Sequence, residues 1–339
     1  MGAASFRSSA ETAIAERYRR FASVEARGRS QLYEELAEGV AGDRRTLAFL
    51  AGMPTAKQQP NLLFAAVRHV YGTPAGWAEF RQALAADGEE IAAVMRSRRT
   101  QTNEPARCAT LLPALAMLRQ PLALLEVGAA AGLCMLPDYY GYDFDGRVVQ
   151  PSAHADRDPP VFRCRMDGCV PVPSQNVQIA WRRGLDIEPV DLHDEAAIRW
   201  LETLVWPGEE HRLVQLRAAI GLARQVGPEV ERGDAAADLV ALVDTAPPDA
   251  TLVVFHSAVL PYLSAAGREG LARIARSQPF WLANESPELQ PRVASRVGSD
   301  WPAGEFLLSH NETPLAWTDP HGTRISALSR TGPDGWTTG

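Results

Sequence analysis

Glu126, Gly128, Ala130 and Gly132 lie at alternate positions between two apolar runs in "LALLEVGAAAGLCML". An acid that ends an apolar run, followed by small residues, suits a tight turn after a buried strand. Backbone N–H groups in such a turn can approach a ligand closely. A phosphate-binding loop would need Gly-Lys-Ser/Thr at its end, and the only lysine of the chain is Lys57, far upstream. A dinucleotide fingerprint would need the frame G-x-G-x-x-G. Here Ala130 replaces the second glycine and Leu133 stands where the third belongs. The frame that remains is E-x-G-x-A-x-G.

Further polar residues end other apolar runs: Asp186 in "RRGLDIEP", Asp234 in "EVERGD", His256 in "TLVVFHS", and Asn284 with Glu285 in "FWLANES". In an open parallel sheet the carboxyl ends of the strands face the ligand. His256 is therefore the candidate general base, with Glu285 behind it. Each residue also suits a plainer task. Gly128 and Gly132 allow close packing, Glu126 can be a buried hydrogen-bonding acid, and Asp186 and Asp234 suit helix N-caps. His256 can be a satisfied structural histidine. Ser257 lacks the G-x-S-x-G elbow of a hydrolase nucleophile. His310 and His321 read as structural, and no metal site is expected, because no His or carboxylate pair has ligand spacing. Cys108, Cys134, Cys164 and Cys169 are scattered, so ordinary thiols are expected.

These residues need elements to position them. Apolar residues recur at steps of three and four in Phe6, Ala10, Ile14, Tyr18, Phe21 and Val24, then in Leu32, Leu36 and Val40, then in Leu63, Val67 and Val70. That spacing predicts helices. Asp43 caps a short one and Pro60 opens another. The reading is a helical N-terminal domain over 1–104. From Leu122 onward, "LALLEVG", "VQIAWRRGLDI", "EVERGD", "TLVVFHS" and "FWLANES" alternate with helical stretches. They predict buried parallel strands with right-handed crossovers. The runs "EFLLSHN" and "RISALSR", joined by the turn-rich "ETPLAWTDPHGT", predict a terminal antiparallel hairpin. The second domain is thus α/β over 105–339, with a helix expected after the glycine loop and an inserted hairpin at about 138–176.

The 339 residues are 46% hydrophobic and 22% charged, with a net charge of -7. That balance gives no attraction to a polyanion, so nucleic acid is not an expected partner. No apolar run is long enough to span a bilayer and no secretory signal is evident, so a cytoplasmic, non-membrane protein is expected. A homodimer is left open.

The frame E-x-G-x-A-x-G resembles the first motif of class I S-adenosylmethionine-dependent methyltransferases. The resemblance implies a Rossmann-like methyltransferase sheet, mostly parallel, with S-adenosylmethionine as cofactor. Glu126, Gly128, Ala130 and Gly132 would cradle it, Asp186 would accept from its ribose hydroxyls, and Asp234 would meet its adenine. His256 and Glu285 would line the methyl-transfer site for a small-molecule substrate. Ala130 departs from the family's middle glycine, and Cys134 stands where asparagine is usual. More narrowly, "QTNEPARCATLLPAL", "LLEVGAAAGLCMLPDYYGYD", "WRRGLDIEP", "RWLETLVWP" and "VVFHSAVLPYL" resemble the bacterial family DUF2332 over nearly the whole chain. That likeness implies no activity. The alternative to methyl transfer is a non-catalytic binder or sensor of S-adenosylmethionine or another nucleotide.

Overall fold

Helical periodicity before residue 100 becomes six α-helices in the computed structural model, which describes residues 8–101 and 103–328. They are α1 (Ser9–Arg20), α2 (Gln31–Gly42), α3 (Arg44–Ala51), α4 (Pro60–Val70), α5 (Trp77–Ala86) and α6 (Gly88–Ser97). Ser8 and Glu11 form a capping box at the start of α1, and Asp43 accepts the Thr46 N–H at 2.9 Å to cap α3. Ile14, Tyr18, Phe21, Leu36, Val40, Leu63 and Val67 are buried together. Ala10 and Val24 of the expected face are exposed, Val24 within a π-helical stretch, Phe21–Ala26, that breaks the 3.6-residue spacing, and Phe6 lies outside the described residues.

The chain splits into two compact units, Met1–Thr102 with Ile198–Leu213, and Asn103–Ala197 with Val214–Gly339. The return of Ile198–Leu213 to the helical unit is absent from the sequence reading. Trp200 and Trp206 bring it into the core, Trp206 with its ring 5.2 Å from that of Tyr33. Arg68 fixes the segment by donating to the Thr203 and Val205 carbonyls at 2.7 and 2.6 Å.

The second unit begins with α7 (Arg107–Ala116), buried from Arg107 through Leu115 with Arg107 and Thr110 as its polar residues. Its strands are β1 (Leu122–Val127), β2 (Gly141–Phe144), β3 (Arg147–Val149), β4 (Val161–Arg163), β5 (Arg165–Asp167), β6 (Ile179–Asp186), β7 (Val230–Arg232), β8 (Thr251–Ser257), β9 (Phe280–Glu285), β10 (Phe306–His310), β11 (Thr313–Thr318) and β12 (Arg324–Ala327). The later helices are α8 (Glu195–Leu204), α9 (Glu210–Val226), α10 (Leu239–Val243), α11 (Ala265–Ala275) and α12 (Pro291–Ala294). Nine strands form one sheet in the order β5-β12-β11-β10-β9-β8-β1-β6-β7. The stretch from β9 to β7 is parallel throughout, and every residue of β1 is buried. This is the α/β, mostly parallel sheet that the apolar runs predict. Its central order reverses between β1 and β8, the switch point where open α/β sheets bind ligands.

Three expectations need correction. No α-helix follows the glycine loop. Two short 3₁₀ turns, Leu133–Met135 and Pro137–Tyr139, follow instead. Pro137 interrupts the run, and the Tyr140 and Tyr142 hydroxyls bond back to the carbonyls of Leu133 and Pro137 at 2.8 and 2.7 Å. The insertion is more than a hairpin: β2 pairs antiparallel with β3 and parallel with β4, while β5 joins the edge of the main sheet. Finally, "TPLAWT" is itself a strand, so the end of the sheet has three antiparallel strands, β10 to β12, rather than two.

Candidate active site

The loop after β1 turns as its small residues require, with φ of +75° at Gly128, +48° at Ala130 and +72° at Gly132. Its N–H groups are spent within the protein. Gly128 and Ala129 donate to the Leu185 carbonyl at 2.8 and 3.3 Å, and Gly132 donates to Ala129 at 2.7 Å. Ala130 donates to Asp186 Oδ2 at 2.8 Å, and Ala131 donates to Asn103 Oδ1 at 2.8 Å. Asp186 also accepts from the Glu188 N–H through Oδ1, at 2.8 Å. It therefore ties the ends of β1 and β6 together instead of capping a helix. The space beside Gly128 is filled as well, because a Cβ built there would lie 2.4 Å from Val259 Cγ2. A cofactor cradled by this loop would need its N–H groups and the Asp186 carboxyl, and in this arrangement those residues do not fit one.

Glu126 shares a sheet face with Asp186, since it pairs with Gly184, two residues before Asp186 on β6. Burial pushes its carboxyl well above the ordinary range, Cys134 and Asp186 add to the push, and Arg107 opposes it. Glu126 Oε2 has no hydrogen-bond partner. Arg107 is held by the Pro320 carbonyl at 2.8 Å and the Ser257 carbonyl at 3.3 Å. Asp234 stands apart from this group. It is exposed and caps its own turn, accepting from the Ala236 N–H at 2.8 Å.

His256 and Glu285 meet directly. They lie on neighbouring parallel strands, β8 and β9, and both are fully buried. His256 Nδ1 is 2.8 Å from Glu285 Oε1. Glu285 also accepts from the N–H groups of Val259 at 2.8 Å and Leu260 at 3.3 Å. Ala258 makes this possible. At φ +59° it adopts the left-handed conformation, costly for a residue with a side chain, and turns the next two amides toward the carboxyl. A ring nitrogen bonded to an acceptor carries the proton in the neutral imidazole, so Nε2 is the nitrogen that can accept. Nε2 is buried and has no partner. His256 lines a cleft of about 200 Å³ beneath α11 and α12, together with Leu260, Trp281, Arg268, Arg276 and Arg292.

The sequence-predicted residues thus form two groups. Glu126 pairs with Phe255 across the β1–β8 register, so His256, the next residue, projects to the opposite face. Glu126, the glycines and Asp186 gather at one place. His256 and Glu285 lie on the other side of the sheet, where His256 lines the cleft. Trp281, Arg268, Arg292, Asn103 and Arg107 were missed. Trp281 carried a signal: Trp281, Ala283 and Glu285 alternate along one strand and must share a face. The arginines carried none.

The family model for DUF2332, described as an uncharacterised protein conserved in bacteria, matches residues 15–327. The chain belongs to the DUF2332 family. No curated protein and no solved structure matches it. DUF2332 membership covers most of both units and names no reaction, so function has to come from the site. Among the described residues, no helix is long and apolar enough to cross a membrane.

Proposed function

We propose that the α/β unit is an enzyme acting on a small molecule, with His256 as its general base and Glu285 as the residue that positions it. One observation carries this reading: the buried His256–Glu285 pair at 2.8 Å, with Nε2 unpartnered on a residue that lines a cleft. A substrate O–H or N–H would donate to Nε2. As its bond to the proton breaks, His256 takes that proton, and Glu285 stabilises the ring cation that forms.

Methyl transfer from S-adenosylmethionine is the reaction the sequence resemblance implies. The reversal of strand order beside Gly128 supports a ligand at that end of the sheet. For the cofactor to bind at the loop, Asp186 must release the Ala130 N–H and Val259 must move off Gly128. The second reading is a protein without cofactor turnover, in which the loop is a structural clamp. The engagement of all five loop N–H groups favours it.

Calorimetric titration with S-adenosylmethionine and S-adenosylhomocysteine, with NAD as control, separates the two. Micromolar binding that Asp186→Ala abolishes supports the cofactor. No heat from a folded sample leaves the base at His256 and removes the methyl donor. The base itself is tested by screening small alcohols, amines and acids for product, with His256→Gln as control. Turnover that survives His256→Gln contradicts the role given to His256.

A further inference from the structure

We infer that the cleft beside His256 takes a small hydroxycarboxylate. This rests on the reading of His256 as a base and adds the class of molecule it would act on. Two buried polar atoms on the cleft residues lack partners: His256 Nε2 and Trp281 Nε1. They belong to neighbouring rings with centroids 5.9 Å apart. Their demands differ. Nε2 of the neutral ring, with Nδ1 engaged by Glu285, asks for a donor, whereas an indole N–H can only donate and asks for an acceptor. A ligand that answers both carries a hydroxyl and an acceptor oxygen close together.

The charge around the cleft chooses among such acceptors. Arg276 is neutralised by Glu269 at 3.3 Å and Glu312 at 3.0 Å. Among the described residues those are the only carboxylates that line the cleft. Arg268 and Arg292 have no ion pair among the described residues, and Arg268 is steadied by the Leu263 carbonyl at 2.7 Å. The lining thus carries three guanidinium groups against two carboxylates, an excess of one positive charge that favours an anion, and a carboxylate matches the planar donors of Arg268 and Arg292. At about 200 Å³ the cleft is smaller than sites for drug-sized ligands, which limits the occupant to a compact acid.

The test is calorimetry and ligand-observed NMR on the full chain with glycolate, lactate and malate. Propionate lacks the hydroxyl, while lactamide and propylene glycol lack the charge. The hydroxyacids should bind more tightly than all three controls. Trp281→Phe, which keeps a ring and removes the donor, should weaken lactate about tenfold, the loss of one buried hydrogen bond. Arg292→Gln should weaken lactate several-fold and leave propylene glycol unchanged. His256→Gln should remove the advantage of lactate over propionate. Equal binding of lactate, lactamide and propylene glycol would overturn the carboxylate assignment. So would indifference to both Trp281→Phe and Arg292→Gln, or no binding by a folded protein. The base reading is judged separately, from the protonation of the His256 ring in the ligand-free protein.

Discussion

Gly128→Ala tests whether the loop is closed by the protein's own side chains. The added Cβ would lie 2.4 Å from Val259 Cγ2 and 2.9 Å from Val259 Cβ, and the residue has φ +75°. The left-handed conformation costs alanine about 1–2 kcal/mol, partly offset by the lower entropy of the unfolded chain. Overpacking against Val259 adds about 1–3 kcal/mol. The expected loss is about 2–4 kcal/mol. In a Val259→Ala background the two methyl groups are gone and Val259 Cβ alone stays close. Gly128→Ala should then cost about 1 kcal/mol less, or better. The assay is a double-mutant cycle by urea denaturation, with the slope checked for constancy. Additivity of the two substitutions within about 0.5 kcal/mol would refute the contact. It would also reopen the space above Gly128 to a ligand.

Other expectations follow from buried polar groups. An ordinary carboxyl like that of Glu126 loses its proton near pH 4.5, whereas the folded one is pushed well above that. The unfolded state then binds fewer protons. The contribution of Glu126 is complete below about pH 4.5, and stability falls by about 1.4 kcal/mol per pH unit until pH passes the folded value. Glu126→Gln should gain on the parent at that slope in pH-dependent denaturation, and parallel profiles would contradict it. Arg182 holds the buried Asp138 through two bonds of 2.9 and 2.8 Å, so Arg182→Ala should cost about 3–5 kcal/mol in the same assay. A cost under about 1 kcal/mol would show that the pair is not desolvated. Of the four thiols only Cys169 is exposed, and burial pushes Cys164 up to about 12. An aromatic disulfide reagent should therefore label one thiol quickly and the others only on unfolding. Two fast thiols would contradict the burial of the rest.

Much of the fold was legible. The runs that became β1, β6, β7, β8 and β9 are short and apolar, with helical stretches between them, and parallel pairing follows from such crossovers. The strand β11 was hidden by Pro314, which pairs with Ser309 next to a register shift that skips Leu315 and makes the segment read as a turn. The helix expected after Gly132 failed because aromatic packing around Pro137 outweighs the helical preference of a four-residue apolar run. The return of Trp200 and Trp206 depends on contacts far apart in sequence, which periodicity does not encode.

The site was legible in part. Strand-end position singled out His256 and Glu285, and they meet. The same rule gathered Glu126 and Asp186 near the loop. What the residues could not disclose was register. A shift of one position decides whether His256 shares a face with Glu126, and it does not. Asp186 was correctly placed at the end of its strand. Its task was open, because an acid that accepts from a ligand and one that accepts from Ala130 look alike in sequence.

The most direct test of the central claim is long-range nitrogen–proton NMR of the histidine side chains in ligand-free protein. His256 would be assigned by loss of its signals in His256→Gln. The expected neutral ring carries its proton on Nδ1, bonded to Glu285, with Nε2 bare, and Glu285→Gln should destroy that preference. A proton on Nε2, or a tautomer indifferent to Glu285→Gln, would mean that His256 is not poised to accept a proton from the cleft.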